Sequence, residues 1–217
     1  MATSIQPSHI KLFYNPGSCS FAPHILLFEV GVDFEIVAVH QMTEELLRLN
    51  PKARVPVLVL NNEDVITEVP AILTAISYMA PEKKFLGSTP FETVRVYEWL
   101  NWLSGTVHGQ GFAGYWRASR FIENPTEEDV QKLKSQGYKT VQNCFEMIEG
   151  KLAASGNVFA VGNSFTVVDA FLSVFYRWGQ QKLGIDMKVY ENYTKLWNAL
   201  NERPAFVKAL SHQDEDA

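Results

Sequence analysis

The turn NPGSCS (residues 15–20) joins a strand-like run to an apolar helical run near the start of the chain. The run Ile10–Tyr14 precedes the turn and Phe21–Val30 follows it, which predicts the strand–helix opening of an α/β fold. Cys19 is therefore expected near the free N–H groups of the helix, whose dipole favours an anion. This position predicts a stabilised thiolate at Cys19, unless the cysteine is only a small residue that completes the turn.

Composition limits the classes of function that the chain can have. The chain has 217 residues and a formal net charge of −5, which fits one large globular domain or two small ones. The absence of a basic stretch argues against nucleic acid as the main partner, and no apolar run reaches the ~18 residues of a membrane span. Cys19 and Cys144 are too few for a disulfide framework and favour a reducing cytoplasm. Residues 1–9 do not resemble a targeting signal and are predicted to be a flexible tail, as are residues 211–217.

Two halves of the chain have different periodicity. Over residues 10–87, strands are predicted at Lys11–Tyr14, Glu35–Val39, Val57–Leu60 and Val65–Thr67. Helices are predicted between them at Phe21–Val30, Met42–Asn50 and Val69–Met79. Residues 88–92 are predicted to be a linker and residues 93–217 an all-helical domain, with helices from about Phe91–Gly105, Thr126–Ala154, Val167–Gly179 and Tyr190–Asn201. The order β-α-β-α-β-β-α predicts an open sheet that ends in an antiparallel hairpin.

Three further motifs indicate an unusual peptide bond or a helix cap. Val55-Pro56 begins a buried strand, where the missing proline N–H is tolerated and the peptide bond can be cis. TEVPAI (residues 67–72) begins the next helix, which Thr67 or Glu68 can cap. Glu68 can there either pair with an ammonium group or only complement the helix dipole. Thr166 and Asp169 have the spacing of a capping box, which predicts a structural role only.

These motifs together resemble the cytosolic glutathione transferases, most closely the cysteine-containing beta class of bacteria and its fungal relatives. The resemblance spans residues 10–210 and rests on PGSCS, NPKARVP, TEVPAI, TVVD and the closing RPA. It implies a thioredoxin-like N-terminal domain followed by an all-helical C-terminal domain, the glutathione transferase fold. The activity it implies is transfer of the glutathione thiolate to a small hydrophobic electrophile, in detoxification or in a specialised metabolic pathway.

The resemblance also implies which residues bind glutathione. Val55 would pair with the cysteinyl backbone beside the family's cis-proline at Pro56, and Glu68 would hold the γ-glutamyl end. The residue after this glutamate is often Gly or Ser, but it is Val69 here, so only a backbone N–H is available. The glycyl carboxylate would be held by Arg54, with His40 and Lys52 as further candidates.

Candidate residues for thiol activation and for the electrophile pocket follow from the same resemblance. Those near the glutathione sulfur are Cys19, Ser18, Ser20, His108 and Tyr14. The basic residue that commonly follows this histidine is replaced by Gly109. The pocket walls would come from the aromatic residues Phe112, Tyr115, Trp116 and Trp178.

Two alternatives to thiolate transfer remain open on the sequence alone. Cys19 can be a nucleophile in glutathione-dependent thiol–disulfide exchange, or the chain can be a non-catalytic binding protein with this fold. Glutathione is a co-substrate in the two enzymatic hypotheses, whereas the non-catalytic protein would bind a partner or carry an apolar ligand. Neither a metal nor a bound cofactor is expected. The resemblance further implies a cytoplasmic homodimer, in which the helices at Val69–Met79 and Phe91–Gly105 face each other with Arg95 at the contact.

Overall fold

The structure, a computed structural model, describes residues 4–215. Its N-terminal half contains a four-stranded sheet built from β1 (Ile10–Tyr14), β2 (Glu35–Ala38), β3 (Val57–Leu60) and β4 (Asp64–Thr67). The strand order is β2-β1-β3-β4, with β1 parallel to β2 and antiparallel to β3, and with β3 antiparallel to β4. This topology confirms the mixed α/β sheet predicted from the sequence.

Helices cover both faces of the sheet. These are α1 (Phe21–Val30), α2 (Glu44–Leu49) and α3 (Val69–Ser77). Leu12 and Leu58 belong to the main core with α1 and α3, whereas Phe13 and Val57 pack with Leu46 of α2 in a smaller cluster. Successive strand residues thus enter opposite cores, as the twofold periodicity of a strand requires.

The C-terminal half is helical. Its main helices are α4 (Pro90–Trp102), α5 (Ala113–Trp116), α6 (Glu127–Ser155), α7 (Val167–Lys182), α8 (Glu191–Asn201) and α9 (Pro204–Glu215), with short 3-10 turns at Pro81–Lys83, Ala118–Arg120 and Met187–Val189. Most of α7 is buried, and α1 packs against both α7 and α9. Arg203, just before α9, makes two charge-assisted hydrogen bonds to Glu29 of α1, at 2.6 and 2.8 Å. The two halves therefore share one core.

The first long helix extends beyond its predicted end at Gly105. The segment Leu103–Phe112 continues α4 with π-helical hydrogen bonding and leads directly into α5. Glycines weaken an isolated helix, but Gly111 of this segment and Gly137 of α6 allow the two helices to approach closely. A Cβ at Gly111 would lie 2.9 Å from a side-chain methyl group of Val141, and a Cβ at Gly137 would lie 2.8 Å from the carbonyl oxygen of Gly111. Tertiary packing therefore overrides the local helix propensity.

The chain ends are more ordered than expected. The prediction of disorder at residues 211–217 is wrong as far as Glu215, because α9 extends to that residue and Gln213 is buried. Near the N-terminus, Ile5 donates a backbone hydrogen bond to Tyr78, and Ser8 donates one to the Asn61 side chain. Residues 1–3 and 216–217 of the two predicted tails lie outside the described residues.

Helix α4 begins at Pro90, inside the segment 88–92 predicted to be a linker. The Thr89 hydroxyl accepts a hydrogen bond from the N–H of Glu92 and caps this helix. At α7, Asp169 accepts hydrogen bonds from the backbone N–H and hydroxyl of Thr166, as the capping box predicts. The N–H of Asp169 itself donates to the Thr166 carbonyl rather than to the hydroxyl.

Candidate active site

A cleft opens between the turn after β1 and the helical half of the chain. It consists of two adjoining cavities of about 500 and 310 Å³. The residues that line both cavities are Cys19, Arg54, Val55, His108, Ala113 and Arg120. We call the two cavities together the Cys19 cleft.

Cys19 is buried at the junction of the two cavities. Its Sγ donates to the backbone carbonyl of Val55 at 3.8 Å. Burial raises the pKa of the Cys19 thiol to about 12, and this outweighs a backbone hydrogen bond to the sulfur and the charges of Arg120 and Arg54, which lower the pKa. The predicted stabilisation of a Cys19 thiolate by the helix is therefore wrong. The helix begins two residues later, at Phe21, and loss of hydration is the larger effect.

The hydroxyl groups beside Cys19 differ in their access to the cleft. Ser18 lines the larger cavity, and its Oγ lies 2.7 Å from the Oγ of Ser20. Ser20 is fully buried and accepts a hydrogen bond from the N–H of Asn15. Tyr14 is also fully buried, with its ring against His24. Neither Ser20 nor Tyr14 lines either cavity, so of these three hydroxyl groups only that of Ser18 reaches the cleft.

The residues predicted to bind the peptide part of glutathione lie along the smaller cavity. The Val55–Pro56 bond is cis, and both residues line this cavity together with Glu68 and Val69. Within residues 4–215 the backbone N–H of Val55 donates to no other group. Glu68 has a φ of 72° and lies directly before α3. An extended peptide can therefore reach both an unpaired backbone N–H and a carboxylate.

Of the three basic residues predicted to hold the glycyl carboxylate, only Arg54 lines this smaller cavity. Lys52 lines neither cavity, but its ammonium group pairs with Glu68 and donates to the Thr67 hydroxyl at 2.8 Å. Arg54 lines both cavities and His40 lines the larger one. The amide of Asn50 donates to the carbonyl of Arg54 at 2.7 Å and holds this loop in place.

His108 lies on the π-helical segment and lines both cavities. Its ring contacts those of Trp178 and Phe175, with centroids 5.5 and 6.4 Å apart. Burial lowers the pKa of His108 to about 4, and the positive charges of Arg120 and Arg54 lower it further. The imidazole is therefore neutral at physiological pH, so it can donate or accept one proton but adds no charge.

Aromatic side chains form one wall of the larger cavity. Phe112, Trp116 and Trp178 line it, and the rings of Phe112 and Trp116 each lie 5.0 Å from that of Trp178. The indole N–H of Trp178 donates to the carbonyl of Gly17 at 2.7 Å. This hydrogen bond connects the aromatic wall to the turn at residues 15–20, which carries Cys19 and is called the Cys19 turn. Tyr115 lies outside both cavities, where its ring contacts Tyr138 and the ammonium group of Lys134.

Three basic residues of the larger cavity were not predicted from the sequence, namely Arg117, Arg120 and Lys182. Arg117 directly follows Trp116, and Lys182 lies one helical turn after Trp178. For Lys182 this spacing was an available signal, because residues four apart lie on the same face of a helix. Adjacency to Trp116 gives no such signal for Arg117. No motif marks Arg120, which reaches the cleft from the 3-10 turn after α5.

Within residues 4–215, no three His, Cys, Asp or Glu side chains come together in a way that could hold a metal ion. Over the same residues, every helix is too short or too polar to cross a membrane.

Comparison with known proteins gives the family. The models of the N-terminal and C-terminal domains of glutathione S-transferase match residues 8–77 and 106–204. Glutathione S-transferase GstA of Escherichia coli O157:H7 is 30% identical, over 93% of this chain and 98% of the relative. A sphingomonad glutathione S-transferase complexed with glutathione is 31% identical, with a TM-score of 0.79 over 94% of this chain and 98% of the other.

A second solved structure bears on the class. The bacterial beta class glutathione S-transferase of Sphingomonas chungbukensis is 28% identical, with a TM-score of 0.79 over 94% of this chain and 98% of the other. These matches confirm the resemblance found in the five sequence motifs. With a four-stranded sheet and the Cys19 cleft at its junction with an all-helical half, the chain belongs to the glutathione S-transferase family.

Proposed function

We propose that this glutathione S-transferase joins glutathione to a small, largely apolar electrophile in the Cys19 cleft, in the cytoplasm. The observation that carries the proposal is a protonated thiol, Cys19, at the junction of a peptide-sized cavity and a larger aromatic-walled cavity. A neutral Cys19 is a poor nucleophile but a suitable hydrogen-bond donor. This favours conjugation, in which the nucleophile is the thiolate of glutathione, over disulfide exchange by the protein's own cysteine.

Glutathione would bind as an added strand along the Val55 backbone. The unpaired N–H and the carbonyl of Val55 would form hydrogen bonds to the backbone of the cysteinyl residue. The carbonyl, which accepts a weak hydrogen bond from Cys19 in the free protein, would then accept one from a peptide N–H of glutathione instead. The carboxylate of Glu68 would take the γ-glutamyl ammonium, with the N–H of Val69 at the start of α3 near the adjoining carboxylate. Arg54 and His40 remain for the glycyl carboxylate.

Activation of the bound thiol then requires only neutral donors and one nearby cation. The S–H of Cys19, the hydroxyl of Ser18 and an N–H of His108 would donate to the sulfur, and Arg120 would add positive charge. Lowering the pKa of this thiol by one unit needs about 1.4 kcal/mol of differential stabilisation, which a single charge-assisted hydrogen bond can supply. The thiol proton passes to solvent, and the thiolate attacks the electrophilic carbon.

Replacement of Cys19 by Ser and by Ala separates the donor role from the nucleophile role. We expect Cys19→Ser to conjugate glutathione to 1-chloro-2,4-dinitrobenzene at a rate close to that of the unmodified protein. Cys19→Ala should raise the pKa of bound glutathione by about one unit, because one donor is lost; thiolate absorbance in the ultraviolet measures this pKa. A disulfide reductase activity that exceeds conjugation and disappears in Cys19→Ser would overturn the proposal.

We also propose that the protein works as a homodimer. Helix α4 exposes Phe91 and Val94, which are 65% and 60% accessible, and Tyr97 lies on the same face. Tyr78, next to α3, is a further exposed aromatic residue. Apolar surface of this kind is typical of an interface between subunits. Light scattering at micromolar concentration should give a dimer that Val94→Glu dissociates, and a monomeric unmodified protein would contradict this proposal.

A further inference from the structure

Resting on the proposed conjugation, we propose that the preferred electrophile is an aromatic or conjugated carboxylic acid, and that Arg117 is the residue that selects for its carboxylate. Arg120 and Lys182 assist at the same end of the cavity. The unsaturated body of the acid lies against the wall formed by Phe112, Trp116 and Trp178.

The charge of the larger cavity is strongly one-sided. Four cationic residues line it, namely Arg54, Arg117, Arg120 and Lys182, and among the residues whose side chains the structure describes no Asp or Glu lines it. This concentration occurs in a chain whose net charge is −5. In the part of the chain that the structure describes, none of the four cations pairs with a carboxylate. The positive charge of the cleft is therefore available to a ligand.

Glutathione accounts for only part of this charge. Its γ-glutamyl end is served by Glu68 and the start of α3 in the smaller cavity, and its glycyl carboxylate by Arg54. Arg120, which lines both cavities, is close enough to Cys19 to act on the ionised sulfur. Arg117 and Lys182 line the larger cavity only, so both remain without an anionic partner once glutathione is bound.

The arginines around the cleft also repel one another. The pKa of Arg120 is lowered by burial and by the positive charges of Arg54 and Arg117. An anion placed between Arg117 and Arg120 relieves this repulsion, and a guanidinium group binds a carboxylate through two parallel hydrogen bonds. The aromatic wall lines the same cavity, so one flat acid can contact both features while Cys19 remains at the sulfur position.

A pair of electrophiles, a carboxylate and its uncharged methyl ester, tests the inference. The pair is 4-chloro-3,5-dinitrobenzoate and its methyl ester. In each reaction the sulfur–carbon bond forms, the carbon–chlorine bond breaks, chloride leaves with the electron pair and the thiol proton passes to solvent. Each enzymatic kcat/KM is divided by the rate constant of the uncatalysed reaction with glutathione, which removes the difference in intrinsic reactivity.

We expect the normalised kcat/KM to favour the acid by at least about tenfold, the effect of one charge-assisted hydrogen bond of about 1.4 kcal/mol. Arg117→Gln should abolish this preference through a higher KM for the acid, with the ester and the KM for glutathione unchanged within about twofold. Arg48→Gln is the matched control, because Arg48 is exposed on α2 and lines neither cavity. This control should behave as the unmodified protein does.

The outcomes separate this inference from the proposed function. An equal normalised kcat/KM for the ester and the acid, or an Arg117→Gln variant that lowers kcat/KM equally for both compounds, would overturn the acid preference while leaving conjugation intact. Failure of the unmodified protein to conjugate glutathione to either compound would overturn the proposed function itself.

Discussion

Alkylation of Cys19 with iodoacetamide is expected to require a far higher pH than alkylation of an ordinary cysteine. Burial raises the pKa of this thiol from 9.0 to about 12. Since only the thiolate reacts, at pH 8 the reactive fraction falls from about one in ten to about one in ten thousand. The corresponding free-energy cost of ionising Cys19 in the folded protein is about 4 kcal/mol.

The measurement is the rate of carbamidomethylation of the Cys19 peptide by mass spectrometry, taken between pH 7 and pH 11 on the folded protein without glutathione. Steric burial slows alkylation equally at every pH, so the pH dependence and not the absolute rate reports the pKa. The rate should rise about tenfold per pH unit across the range without a plateau. Circular dichroism at each pH verifies that the fold persists.

Two controls accompany this experiment. Protein unfolded in urea should label Cys19 with a midpoint near the ordinary value for a thiol. A Cys144→Ala variant removes the second cysteine, whose pKa burial raises to about 11. A plateau for folded Cys19 with a midpoint at or below pH 9 would refute the desolvation argument and restore Cys19 as a nucleophile.

The sign of the Cys19 shift also makes a prediction about stability. A pKa that is higher in the folded state stabilises the fold fully below the unfolded pKa, and this stabilisation is lost as the pH rises through the folded pKa. We therefore expect the free energy of unfolding to fall from about pH 9 upward. Cys19→Ser, which does not ionise in this range, should show a smaller decline.

Three further predictions concern the site and the helical half. The pKa of His108 is lowered to about 4, so its contribution to the free energy of unfolding is present above pH 6.5 and should decline by about 3 kcal/mol as the pH falls to 4. Urea denaturation of the unmodified protein and of His108→Gln at several pH values measures this decline. Equal loss of stability in acid for both proteins would contradict the prediction. Gly137→Ala should destabilise the fold by about 2–4 kcal/mol, because its Cβ would overlap backbone atoms of the crossing helix. The matched control Gly150→Ala, with no atom within 4 Å of the new Cβ, should stabilise the fold by about 0.5–1 kcal/mol. A similar loss of stability for both variants in urea denaturation would rule out the close approach of the crossing helix at Gly137. Trp178→Phe removes the donor to the Gly17 carbonyl at 2.7 Å and should cost about 1 kcal/mol of stability with a higher KM for glutathione; an unchanged KM would show that this bond does not position the Cys19 turn.

Local sequence patterns predict much of the first half. The predicted strand Val57–Leu60 and helix Phe21–Val30 match the observed bounds. Both are short, strongly apolar and bounded by turn residues, so neighbouring residues determine them. The capping pair Thr166 and Asp169 was likewise predictable from the local sequence, because the two residues are only three positions apart.

Longer-range features were not readable from local patterns. The helix that continues through Leu103–Phe112 contains three glycines and is stabilised by contact with α6. Gln213 lies in a polar C-terminal segment, yet its side chain accepts a hydrogen bond from the N–H of Gly17 at 2.8 Å, 196 positions earlier in the chain. No local pattern could predict that contact.

Short motifs with fixed spacing were enough to predict the family, the order of strands and helices in the N-terminal half, and part of the set of residues that line the cleft. The chemistry of Cys19 depends instead on tertiary packing, because the loss of hydration that raises its pKa comes from distant segments packed around it. The same packing brings Arg54, Arg117, Arg120 and Lys182 to one cavity. Electrostatic potential depends on distance in space, and the sequence reports only distance along the chain.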